Sequence, residues 1–224
     1  MLRTHYKAVW NQLSQDLSSA KIHIAGTDDE TALATATLHT LNVLRSTVGI
    51  CPDDDCLEIG CGVGRVGRGL APLVRRWSGC DVAPNMVGHA RTRLRDLPNA
   101  DVTEISGYEL SGIPDASYDL VYCTVVFMHL DEWDRFNYVR EAWRVLRPGG
   151  RFFCDNTNLM TDDGWAQFEQ YRVGYHPTER PAHIGKCSTP QELETYLRRA
   201  GFSEVSTRTR HLWVDAWGIK PPVA

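Results

Sequence analysis

Cys56-Leu57-Glu58-Ile59-Gly60-Cys61-Gly62-Val63-Gly64-Arg65 is the stretch on which the fold turns. Residues 56–59 form a short apolar run that carries one carboxylate, with the acidic turn Asp53-Asp54-Asp55 before it and glycines after it, the pattern of a buried strand. The alternating Gly60, Gly62 and Gly64 then lead into a helix expected over residues 65–74. Such a turn lets backbone approach a ligand closely, and the helix that follows offers free N–H groups.

Downstream the rhythm repeats. Strand signals at residues 76–81, 102–105, 118–123 and 151–155 alternate with helices that run from Ala83-Pro84 to about residue 95 and over residues 131–146. Trp133, Phe136, Tyr138 or Val139, Trp143 and Leu146 are expected on the buried face of the later helix, which Arg147-Pro148-Gly149-Gly150 stops. Strands alternating with helices imply an α/β fold, a doubly wound parallel sheet covered on both faces.

Upstream, Leu2, Tyr6, Val9, Trp10, Leu13 and Leu17 space one amphipathic helix over residues 2–24, and Thr27-Asp28-Asp29-Glu30 caps a second that reaches Val48 before Gly49 ends it. Residues 1–48 are thus expected as a helical lid and 55–155 as the core. Residues 156–187 break the rhythm and read as a substrate cap inserted over the sheet's edge, with Trp165, Phe168, Tyr171, Tyr175, His176, Arg180 and His183 in it. Residues 188–224 supply a capped helix and strand-like runs at 204–208 and 211–216.

The chain has 224 residues, which fits one domain, and a net charge of −4, which removes the basic footprint of a nucleic-acid binder. Seven cysteines without a C-x-x-C pair read as reduced thiols, and therefore as a cytoplasmic protein. The first twenty residues are interrupted by charged and polar side chains, unlike a signal peptide, and the longest uncharged apolar-rich run, 120–130, is far short of the roughly twenty residues of a membrane span. No membrane or nucleic-acid partner is expected.

Gly62-Val63-Gly64-Arg65-Val66-Gly67 also fits the G-x-G-x-x-G of a dinucleotide-binding loop, with Asp81 near the place of its ribose acid. Context separates the two readings. Glu58 sits two residues before the first glycine, giving E-x-G-x-G-x-G, and Leu-Arg-Pro-Gly-Gly precedes the fifth strand. At these residues the chain resembles the class I S-adenosylmethionine-dependent methyltransferases, over residues 55–155 and again at Ala200-Gly201-Phe202.

The resemblance implies a Rossmann-like methyltransferase fold, a seven-stranded, mostly parallel sheet with an antiparallel last strand, and S-adenosyl-L-methionine as cofactor. It places Gly60, Cys61 and Gly62 at the cofactor's amino-acid end, Asp81 on both ribose hydroxyls, and Val82 and Met86 on adenine, and it counts Glu58 among the cofactor-binding residues. Relatives often carry Gly-Asp after strand three, where this chain has Ser106-Gly107-Tyr108-Glu109. Gly107 backbone and the Tyr108 ring are the expected substitutes, with Thr124, Arg65 and Tyr6 or Trp10 as further candidates near the methionine end.

Two candidates stand for the base: His129, a few residues past strand four, and Asp155, at the end of strand five. Asp155-Asn156 also resembles two of the Mg²⁺ ligands of cation-dependent O-methyltransferases, although the third acid is replaced by Cys123-Thr124. The expected activity is O-methylation of a small polar acceptor, saccharides included, with or without Mg²⁺. N- or C-methylation of a small metabolite and a non-catalytic, cofactor-binding partner subunit are the rivals. The apolar C-terminal strands are a candidate homodimer edge.

Overall fold

The computed structural model describes residues 4–222 other than 182. Leu2, part of the apolar spacing above, lies outside them. The first 24 residues do not make one helix. α1 (Thr4–Leu13) and α2 (Leu17–Ala25) are separate, because the Asp16 side chain accepts the Ser19 N–H and caps a new start. α2 ends on Gly26 at φ 72°, in the left-handed conformation that glycine tolerates. The break turns the second helix back, so that His23 and Ile24 reach the cleft described below.

α3 (Glu30–Thr47) follows, then β1 (Asp55–Ile59), α4 (Arg65–Leu70), β2 (Arg76–Asp81), α5 (Pro84–Leu94) and β3 (Ala100–Glu104). The second half holds β4 (Tyr118–Cys123), α6 (Glu132–Val145), β5 (Leu146–Thr157), α7 (Asp162–Gly174), α8 (Pro190–Ala200), β6 (Ser203–Arg210) and β7 (Trp213–Ile219). The strands form one sheet of order β3-β2-β1-β4-β5-β7-β6. All pairings from β3 to β5 are parallel, and β7 runs antiparallel to both β5 and β6. This is the doubly wound sheet with an antiparallel last strand expected from the sequence. Strand order reverses between β1 and β4, the place where such sheets open a crevice at their carboxyl ends.

Alternation along the strands divides the core in two. Leu57, Ile59, Val121, Phe152 and Cys154 pack toward α6 and α8, whereas Cys56, Trp77, Leu120, Tyr122 and Phe153 pack toward α3, α4 and α5. The buried face of α6 is narrower than its tryptophans suggest. Tyr138, Val139, Ala142 and Val145 are buried, but Trp133 is 69% exposed and Trp143 lies at the surface under the Lys220 ammonium, 4.0 Å from the ring centre. β5, which leads into the inserted α7, is an interior strand of the sheet.

Candidate active site

The glycine turn after β1 packs against the end of β2. The N–H groups of Gly60 and Cys61 both donate to the Cys80 carbonyl, at 2.8 and 3.0 Å. Gly60 sits at φ 72°, and a Cβ there would collide with the Val126 side chain. Gly62, at φ 52°, would bring a Cβ to 3.1 Å from Ile24. The loop is thus glycine-bound on two counts, chain direction and close approach.

Asp81 closes the other side. One oxygen accepts the Gly62 N–H and the other the Ala83 N–H, both at 2.9 Å. Burial raises its pKa, and these backbone donors oppose the rise. Each carboxylate oxygen has a second lone pair, so a vicinal diol can still be bound.

Below the loop, the Trp77 indole N–H donates to the Tyr122 hydroxyl and that hydroxyl to Glu58, each at 2.8 Å. Burial pushes Glu58 up to about 8, against the pull of Tyr122 and of Arg65. Arg65 is itself held below its ordinary value by burial, with Glu58 the main opposing influence. A carboxyl and a guanidinium facing one cleft suit the ammonium and carboxylate of an amino acid.

Tyr6, Trp10, Glu58, Gly60, Cys61, Gly62, Arg65, Asp81, Val82, Met86, Gly107, Thr124 and His129 line this single cleft. Sequence reasoning had selected all of them. It missed His23 and Ile24, brought in by the α2 turn, and Val125 and Val126 beyond β4. Tyr108, the remaining candidate near the adenine end, is not among the residues that line the cleft and is 38% exposed. α1 is fixed over the cleft by Asn85, whose backbone and side-chain amides both donate to Asn11, at 3.0 and 2.9 Å.

His129 stands at the outer end. Its Nδ1 lies 2.8 Å from the His183 carbonyl, which can only accept, so Nδ1 carries the proton and Nε2 keeps its lone pair. The Trp10 ring meets it edge-on at 4.7 Å. Burial pulls its pKa down to about 4.

Asp155 and Asn156 are neighbours on β5 and face opposite sides of the sheet. Asp155 Oδ1 accepts the Val125 N–H at 2.7 Å. Asn156 donates to Ser188 Oγ at 2.6 Å and accepts the Thr157 N–H, away from the cleft. The expected pair of metal ligands therefore does not fit a shared cation, and among the described residues no three of His, Cys, Asp and Glu converge as a metal site would need.

Val125 adopts φ 61°, a strained conformation for a β-branched residue, and Asp155 holds it there while Val126 covers Gly60. Burial pushes Asp155 up to about 7, against the Val125 N–H.

Residues 57–154, a little under half of the chain, match the family described as a methyltransferase domain. A probable S-adenosylmethionine-dependent methyltransferase of Mycolicibacterium smegmatis is 34% identical over 70% of this chain and 55% of its own length. The 27-O-demethylrifamycin SV methyltransferase of Amycolatopsis mediterranei is 29% identical over 94% of this chain and 78% of its own. The chain spans about half the length of the first of these and of similar mycobacterial relatives.

Among solved structures, magnesium protoporphyrin IX methyltransferase of Synechocystis, with bound SAH, superposes with a TM-score of 0.72 at 15% identity, covering 98% of this chain and all of that one. At that identity the likeness is one of fold. Among the described residues no helix is long and apolar enough to cross a membrane.

Proposed function

We propose that the chain is an S-adenosylmethionine-dependent O-methyltransferase acting on a hydroxyl of a small-molecule acceptor, a class that includes saccharides. The O-methylating relative that aligns along nearly the whole chain supports this reading. The observation that carries it is the His129 ring, neutral by burial and held by the His183 carbonyl so that Nε2 keeps a free lone pair at the mouth of the cofactor cleft.

When bound, the cofactor supplies a methyl carbon on a positively charged sulfur that leaves as a neutral thioether. Asp81 accepts the ribose hydroxyls, Glu58 and Arg65 pair with the amino-acid end, and the Gly60 and Gly62 turn admits the chain between them. The attacking hydroxyl oxygen gains positive charge as its bond to carbon forms, so its proton becomes strongly acidic. His129 Nε2 takes that proton, and a ring with a pKa near 4 is sufficient because the donor is so acid. Asp155 serves as a positioning residue that holds Val125.

The pH dependence of kcat with both substrates saturating tests this. A neutral base with a lowered pKa is ready across the physiological range, so kcat stays flat over about pH 6 to 8 and falls only as pH drops toward 4. Were Asp155 the base, kcat would fall about tenfold per unit below its pKa near 7.

A further inference from the structure

Beyond His129 the cofactor cleft opens into a second, larger chamber of about 1190 Å³, which shares Trp10, Arg65 and His129 with it. One wall is the outer face of α3, where Ala32, Ala36 and Thr40 recur at helical spacing and leave the space wide. The opposite face of the same helix, with Leu33, Leu41 and Leu44, is buried in the core. The other wall brings Gln167 and Tyr171, one turn apart on α7, together with His183.

Two polar atoms in these walls are buried and have no protein partner among the described residues, Gln167 Oε1 and His183 Nδ1. Unpaired buried polar atoms are costly, and both atoms are shielded as they stand, so a rotation of either side chain toward the chamber would let a ligand group supply the missing partner. The chamber exceeds the roughly 300–1,000 Å³ of ordinary small-molecule sites.

The geometry points to an acceptor bulkier than one sugar ring, an amphipathic polyhydroxylated scaffold of several fused or linked rings. One of its hydroxyls meets His129 and a second hydrogen-bonding group is held by Gln167 and His183. This rests on the methyltransferase reading. It also gives His183 two tasks, since its carbonyl sets the His129 tautomer while its ring faces the acceptor.

The test uses the full chain saturated with S-adenosylhomocysteine, titrated calorimetrically with the three-ring polyphenol quercetin and separately with methyl α-D-glucopyranoside. Quercetin is expected to bind and the glucoside not. Ala36→Trp, which adds bulk at an exposed position and leaves the core alone, is expected to weaken quercetin at least about tenfold. Gln167→Leu is expected to weaken it roughly three- to tenfold. Both variants should keep the affinity of the wild type for S-adenosylhomocysteine, which also shows that they fold. Binding of the glucoside alone, of neither probe, or of quercetin equally to wild type and both variants would overturn the assignment. Failure of the wild type to bind S-adenosylhomocysteine would instead bring down the methyltransferase reading itself.

Discussion

The inner half of the site is made of turns and the outer half of helix faces, and the two are specified in different ways. Around Gly60, Gly62 and Asp81 each position is fixed by backbone: positive φ, N–H donors aimed at a carboxylate, and no room for a Cβ. Around Ala36, Gln167 and His183 nothing is fixed by local geometry. That chamber is bordered by α3 and α7, which lie more than a hundred residues apart in sequence. The inner half therefore holds a ligand of set shape, and the outer half can change its ligand by a few surface substitutions without disturbing the core.

The largest effect is expected where the halves meet. His129→Ala should lower kcat by about 10²- to 10⁴-fold while the affinity for S-adenosylhomocysteine stays within about twofold of wild type. A parallel loss of cofactor affinity would mean that the ring belongs to the inner half and serves binding. Gly60→Ala probes the backbone side of the comparison. Left-handed strain and the collision with Val126 together should cost about 2–4 kcal/mol, seen as a melting temperature lower by roughly 4–15 °C. A thermal melt like that of the wild type would show that the loop is less constrained than its geometry states. The smallest effect is expected for Tyr108→Ala, which should change S-adenosylhomocysteine affinity by less than about threefold, because that ring does not line the cleft.

What could be read from sequence follows the same division. Residues 56–65 and Asp81 announce themselves because a strand, a glycine turn and an acid at the next strand end are local patterns, and the fold brings the turn and the acid to one cleft. The parallel part of the sheet was legible from the alternation of strands and helices, and the antiparallel closing strand only through the family resemblance. The break at Asp16 was not, since continuous apolar spacing hid a capping residue, and with it went His23 and Ile24.

Asn156 was drawn to a metal by adjacency in sequence, although neighbours on a strand point to opposite faces. Trp133 and Trp143 were assigned to the core as members of one helical face, yet α6 buries a narrower stripe of Tyr138, Val139, Ala142 and Val145. Val125 carried no signal at all. Its strain arises from the Asp155 contact, which only the folded sheet brings about.

The central claim is that the turn after β1 and the acid ending β2 form a site for S-adenosylmethionine. Calorimetric titration of the wild type and of Asp81→Ala with S-adenosylhomocysteine tests it most directly. Binding in the micromolar range, weakened about thirtyfold or more in Asp81→Ala, is the predicted result, since removal of the carboxylate forfeits two charge-assisted hydrogen bonds. No binding to the wild type, or equal binding to both proteins, would contradict it.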